Sequence, residues 1–317
     1  MTYVLDLKRL WSDRLAITES QRKAAASVHL DPRQKMVSVI VAIQSDDLQV
    51  MKTLQSAITQ LMVRELIIVN GSHSSLMEDA LTQFAYQYPR AILVDGHNVC
   101  GLAEAYNLGA QYASTPFALF LSAYGLLQKN AIMQLLAIGI RKPGAWVVGA
   151  ALTKREQKHH LPSQFMKNFK TLTTNEVPEV SLVGGGLYAQ VVSAECLLLP
   201  MRTFAQLKGF DKRCYHTTFH WDLCLRVHQM GGDVFQAPEA VLAIANPALR
   251  SRRLFKQEWQ SFLGWSHFYQ KNFSELTNIF SRSFFYLALT LSSTISFGNR
   301  LINLLTKRET TPKRKMA

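Results

Sequence analysis

The sequence predicts an α/β fold with a mostly parallel central sheet flanked by helices, and three observations carry that prediction. First, VSVIVAI at 37–43 is a run dominated by β-branched residues, the pattern of a strand buried on both faces. Second, apolar runs of this kind alternate with stretches of helical spacing throughout residues 36–122. Third, the order strand–helix–strand repeated three times leaves parallel pairing with crossover helices as the economical topology.

The elements follow in order. After 37–43, Leu48, Met51, Leu54, Ile58 and Leu61 recur at helical spacing over 47–61. ELIIVNG at 65–71 is a second strand ending in a turn, and 76–88 a second helix. AILVDG at 91–96 is a third strand, 101–113 a third helix, and PFALFLS at 116–122 a fourth strand. Ligands of open α/β sheets sit at the carboxyl ends of the strands. This gathers Gln44–Asp47, Asn70–Ser74 and Ser122–Tyr124 around one crevice. A dinucleotide-binding site needs GxGxxG directly after the first strand, and IQSDDLQ at 43–49 has no glycine.

Residues 1–35 form a charged, helix-rich extension closed by Asp31-Pro32, and 36–250 the main domain. Residues 251–317 form a basic, amphipathic, helical C-terminal region. The net charge of +13 is concentrated there: from Arg250 onward there are 12 Lys/Arg and 3 Asp/Glu. A basic surface suits phosphorylated substrates or anionic lipid, and no nucleic-acid-binding motif accompanies it. SFFYLALTLSSTISFGNRLINLL at 283–305 carries a Ser/Thr cluster and Asn299-Arg300, a poor composition for a span. Contact of 283–315 with a membrane surface, or packing on the domain, is expected instead. MTYVLDLKRLWSDRL at the start has no apolar signal core, which predicts a cytoplasmic protein, peripheral on the inner face of the cytoplasmic membrane. Cys100, Cys196, Cys214 and Cys224 show no paired CxxC spacing and read as reduced, mostly buried thiols.

Residues 36–245 resemble family 2 glycosyltransferases of the GT-A fold, in a subgroup similar to rhamnosyltransferases. The resemblance rests on VSVIVAI, on ELIIVNGS, and on Gly101, Ala105, Asn107 and Gly109 in GLAEAYNLGAQYASTPFALFL. It rests most on 196–242, with GFD at 209–211, DLCLR at 222–226, Gly231-Gly232 and a Pro238-Glu239-Ala240 turn. It implies transfer of a sugar from a nucleotide-sugar donor to a glycan or polyprenyl-linked acceptor in cell-surface polysaccharide synthesis.

Three acidic landmarks of that family are replaced. Asn70 stands where an aspartate binds the nucleoside, and an amide can still bond a nucleobase edge. Ser122 and Tyr124 stand in place of the Asp-x-Asp pair, so no divalent metal cofactor is expected. Phe219-His220 stand where Glu-Asp supplies the general base. His220 is the candidate base, its unperturbed pKa near 6.5 suiting proton transfer; packing beside Trp221 is the alternative. Asp222 is a second catalytic candidate, or else orients its helix. Gln44, Asn70, Ser122 and Tyr124 are the candidate donor-binding residues. Glu195 is a candidate relocated acid. His216, His220 and Asp222 are weighed as a metal site, His159-His160 in the basic loop 154–170 as phosphate neutralisers, and Gly184-Gly185-Gly186 as a turn near the acceptor. A second class of function stays open: an inactive homologue serving as a binding module or as partner subunit of an active transferase.

Overall fold

A computed structural model describes residues 36–142, 144–152, 187–189, 191–216, 218–244 and 254–273, and 282–294 except 284, 288 and 292. The N-terminal extension, the basic loop with His159-His160, Gly184–Gly186, the boundary at 250 and residues 295–317 lie outside these.

Nine strands form one sheet in the order β3-β2-β1-β4-β8-β6-β9-β5, with β7 paired to β9. β1 is Val37–Ile43, β2 Val63–Asn70, β3 Ala91–Asp95, β4 Phe117–Ser122, β5 Gly125–Leu127, β6 Trp146–Leu152, β7 Leu187–Tyr188, β8 Cys196–Pro200 and β9 Asp233–Ile244. β1, β2, β3 and β4 pair in parallel, as the alternating pattern predicts. β8 runs antiparallel to both β4 and β6, and β6 pairs in parallel with β9. Six of the nine strands therefore share one direction.

Helices α1 (Val50–Ile58), α2 (Ser75–Gln87) and α4 (Ala131–Gly139) cover one face of the sheet. Helices α3 (Leu102–Ala110), α5 (Met201–Gln206) and α6 (Phe219–Gln229) cover the other. Side chains of β1 alternate between the two: Val37, Val39, Val41 and Ile43 join the first core, Ile40 and Ala42 the second. A strand sandwiched this way has no solvent-facing side, which is why 37–43 is apolar but for Ser38, whose buried hydroxyl bonds Glu65 and Thr115.

Pro238-Glu239-Ala240 is not the expected turn. It lies inside β9, where the register jumps from Ala150↔Ala237 to Ala151↔Val241. Pro238 has no N–H to give a ladder, so it is accommodated where the ladder is interrupted.

The second half of the domain is locked to the first through Asn107 on α3. Its side-chain amide donates to the Phe210 carbonyl, 2.8 Å, and accepts from the Phe210 N–H, 2.8 Å. Gly209 beside it has φ +73°, and an added Cβ would lie 2.6 Å from Asn107 Oδ1. On the same helix, a Cβ on Gly109 would lie 2.5 Å from Ile40 of β1. Held in this way, Phe210 meets Phe120 of β4 edge-on at 4.8 Å and Phe219 of α6 at 5.0 Å. One aromatic ring thus sets the start of α6 against the strand that ends at Ser122. Asn107→Ala leaves both Phe210 backbone groups without these partners and is expected to cost about 2 kcal/mol of stability. Chemical denaturation of the purified variant measures this.

Candidate active site

The parallel register brings the ends of β1, β2, β3 and β4 to one edge. Ile43 pairs with Asn70, Asn70 with Asp95, and Ala42 with Ser122. The loops that leave these strands are bonded to one another. Asn70 is buried at the end of β2, and its Oδ1 accepts from the Ser72 N–H at 3.0 Å. This local turn occupies part of the amide's acceptor capacity. Ser72 Oγ donates to Asp46 Oδ1 at 2.6 Å, which ties the β2 loop to the β1 loop. Ser45 Oγ and Tyr124 Oη share a hydrogen bond of 2.7 Å, which ties the β1 loop to the β4 loop. Gln44 is half-buried between them at the end of β1.

At the end of β3, His97 closes the row. Its Nδ1 lies 2.6 Å from Asp95 Oδ1 and its Nε2 lies 2.7 Å from the Ser72 carbonyl. The hydrogen bonds with Asp95 and with the Ser72 carbonyl raise the His97 pKa, and His97 lowers that of Asp95.

Beside β4, Ser122 N–H donates to the Glu195 carbonyl at 2.9 Å. This continues the antiparallel ladder one residue past Leu121↔Cys196, so Glu195 stands opposite Ser122. Glu195 is 3% exposed. The strand end that lacks aspartates therefore has a buried carboxylate residue on the neighbouring chain segment.

His220 and Asp222 occupy the first turn of α6. His220 is half-buried, its ring 5.4 Å from that of Phe219 and 6.2 Å from that of Trp221. Asp222 is fully buried, and its carboxylate is held by Arg226 Nε at 2.7 Å and Lys271 Nζ at 2.7 Å. Lys271 belongs to α7 (Leu254–Phe273), which packs on α6 through Trp221, Leu225, Trp265 and Phe268. The same ammonium reaches Asp211 Oδ2 at 3.0 Å, so one lysine bridges the GFD loop and α6.

Among the described residues, the one grouping with metal-ligand chemistry is Asp211, Cys214 and His267; His216, His220 and Asp222 are not drawn together as one. Asp211 is already saturated by cationic and imidazole donors: His267 at 2.9 Å, Lys271, and Arg213 at 3.3 Å. These bonds, His267's the largest influence, hold its carboxyl well below the usual carboxylate range. Burial pushes the Cys214 thiol up to about 12, so it stays protonated. All four cysteines are free thiols, with Cys100 exposed and the other three buried.

Residues 38–184 match the family model Glycosyl transferase family 2. This segment is a family 2 glycosyltransferase domain. Solved structures with the same fold include the mannosyltransferase PcManGT from Pyrobaculum calidifontis, in complex with GDP-Man and Mn2+. It is 16% identical, with TM-score 0.54, over 97% of this chain and 84% of that one. Glucosyl-3-phosphoglycerate synthase from Mycobacterium tuberculosis, in complex with Mg2+ and UDP, is 13% identical with TM-score 0.52, over 74% of this chain and 79% of that one. The same synthase in complex with Mn2+, UDP and phosphoglyceric acid gives TM-score 0.51 at 12% identity. Comparison with curated protein sequences finds no match.

These neighbours correct one expectation. A divalent cation accompanies the nucleotide in each of them, which overturns the view that no divalent metal belongs to this glycosyltransferase domain. The reasoning from Ser122 and Tyr124 considered those two side chains alone. Mg2+ and Mn2+ shared with a diphosphate need only one or two protein carboxylates, the phosphate oxygens and water supplying the rest. Glu195, buried in the segment opposite Ser122, is the carboxylate residue nearest in register to that strand end.

Asp46 and Ser72 lie within the strand-end segments gathered from the sequence but were not named individually, and His97 was not included. Asp46 follows β1 by three residues and His97 follows β3 by two, which is the signal that marks them. Two outcomes test the Lys271 bridge. Lys271→Met removes one of two cations from a fully buried carboxylate and is expected to cost about 2 kcal/mol in chemical denaturation. Because the Asp211 pKa is depressed on folding, its contribution is complete above about pH 4 and is lost as pH falls through the folded value. Acid unfolding of Asp211→Asn is therefore expected to be less steep below pH 4 than that of the wild type.

Proposed function

We propose that this chain transfers a sugar from a nucleoside-diphosphate sugar to a hydroxyl of a glycan or lipid-linked acceptor in the assembly of a surface glycan. One observation carries the reading: the bonded row Tyr124–Ser45 and Asp46–Ser72–Asn70 at the carboxyl edge of β1, β2 and β4, in a fold shared with enzymes solved in complex with a nucleotide or nucleotide sugar. Family membership and these neighbours favour transfer over a role limited to binding or to partnering another transferase.

Each residue has a stated task in this proposal. Asn70 offers its NH₂ to a nucleobase carbonyl, and Gln44 with Tyr124 lines the approach to the phosphates. Glu195, with the Ser122 hydroxyl, would hold a divalent cation. A bound cation offsets the negative charge of the leaving diphosphate. His220 takes the proton from the acceptor hydroxyl as that oxygen bonds to the anomeric carbon. The bond from that carbon to the phosphate oxygen breaks, and the diphosphate leaves with the electron pair. Asp222 orients α6, and with it His220, through Arg226 and Lys271.

The acceptor is assigned to the membrane face because the C-terminal region combines excess positive charge with exposed apolar side chains. Phe285 and Leu289 pack against the domain, while Leu287, Leu291 and the Trp259 of α7 are exposed. No helix among the described residues is long and apolar enough to cross a membrane.

Calorimetric titration with UDP, GDP and dTDP, each with and without Mn2+, tests the donor site. One nucleotide is expected to bind with a dissociation constant on the order of micromolar, and more tightly with Mn2+. Glu195→Gln should erase the Mn2+ gain while leaving metal-free binding in place. Absence of binding for all three at millimolar concentration would refute the donor site. His220→Ala is expected to lower transfer about 10²–10⁴-fold at unchanged nucleotide affinity.

A further inference from the structure

We propose that His97 is a positively charged positioning residue, an imidazolium latch that holds Ser72 and thereby shapes the nucleotide crevice. The inference rests on the donor-site reading above and adds a protonation requirement to it.

The argument begins with donors and acceptors. A neutral imidazole has one N–H and one acceptor nitrogen. Both partners of the His97 ring are acceptors: an Asp95 carboxylate oxygen at 2.6 Å and the Ser72 carbonyl at 2.7 Å. A carbonyl has no proton to give, and an ionised carboxylate has none either. Only the doubly protonated ring satisfies both contacts. The Asp95 carboxylate is fixed for this purpose, since the same Oδ1 accepts from the His97 backbone N–H at 2.9 Å.

The residue gripped by this ring is the hub of the crevice. Ser72 is buried, its N–H binds Asn70 Oδ1, its hydroxyl binds Asp46, and it accepts from the Ser74 N–H at 3.1 Å. Loss of one proton from His97 removes one of the two ring donors. Either the Asp95 bond or the Ser72 bond must then be given up. In both cases the link from β3 to Ser72 slackens, and with it the placement of Asn70 and Asp46. The lost positive charge also leaves Asp95 and Asp46 less compensated beside a site for an anionic ligand.

The groups that face His97 set the direction of the effect. Asp95 lies on its own loop, and Glu78 on α2 adds a further attractive charge. The ring of His73 lies 5.1 Å away, and Asp46 is reached through Ser72. Asp95 and the Ser72 carbonyl dominate and raise the His97 pKa. The latch is therefore complete below the free imidazole value of about 6.5 and is lost as pH rises through the raised value.

The test has two arms on the full chain. In histidine ring NMR, with His97→Gln providing the assignment, the His97 ring is expected to be doubly protonated at pH 6.5. Its titration should move to lower pH in Asp95→Asn. A neutral His97 at pH 6.5 would overturn the proposal. In the second arm, UDP, GDP and dTDP are titrated with Mn2+ at pH 6 and at pH 9. The binding nucleotide should lose roughly tenfold in affinity at the higher pH. His97→Gln should bind at the weakened level at both values, and His73→Gln should keep the wild-type dependence. Wild-type strength and pH dependence in a folded His97→Gln would overturn the latch. Failure of all three nucleotides to bind at pH 6 would instead refute the donor site on which the latch depends.

Discussion

The whole site hangs from β1, a strand with no exposed face that lies between β2 and β4. Parallel pairing places every carboxyl end on the same edge, so residues far apart in sequence are delivered to one place by register alone. Asn70, Asp95 and Ser122 reach that edge because the pairing register aligns the strand ends, although the strands themselves differ in length. Polar side chains then complete what the ladder begins. Ser45 with Tyr124, and Ser72 with Asp46 and Asn70, bond the exiting loops to one another across the crevice. The crevice is therefore preorganised by bonds within its own wall, which lowers the ordering cost of taking up a ligand.

A second layer fixes α6 relative to this edge. Asn107 grips the backbone of Phe210, whose ring spaces β4 from the start of α6. Lys271 then joins Asp211 and Asp222, so one ammonium on α7 ties the GFD loop to α6. Burying Asp222 completely is costly for a lone charge and tolerable only because Arg226 and Lys271 meet both carboxylate oxygens. This accounts for the DLCLR motif in physical terms: Asp222 and Arg226 are spaced by one helical turn and pair on the same face. It also relates the C-terminal helix to the site, since its lysine holds the helix that carries His220.

Much of the fold was legible because buried parallel strands advertise themselves. The runs ending at Ile43, Asn70, Asp95 and Ser122 could be read from β-branched content and from the helical spacing between them. β5 was not read, because three residues of Gly125–Leu127 carry no period. Pro238-Glu239-Ala240 looked like a turn because proline interrupts a ladder, yet the strand resumes after a register shift. The positions of the candidates were legible: Gln44, Asn70, Ser122 and Tyr124 lie along the strand ends. The bonds among them were not, since Ser72–Asp46 and His97–Ser72 join separate loops. Glu195 shows the same limit, because its place opposite Ser122 depends on the antiparallel entry of β8. Glu195 was named as a candidate relocated acid but not connected to the strand end, and reasoning from Ser122 and Tyr124 alone led to the mistaken exclusion of a metal.

The central claim is that the edge formed by β1, β2 and β4 receives the donor nucleotide. Diffraction from crystals soaked in turn with UDP, GDP and dTDP, each with Mn2+, tests it most directly. The account predicts one nucleotide with its base against Asn70 and its diphosphate directed toward Ser122 and Glu195. A nucleotide bound elsewhere on the chain, or a crevice left unfilled at saturating concentration, would contradict it.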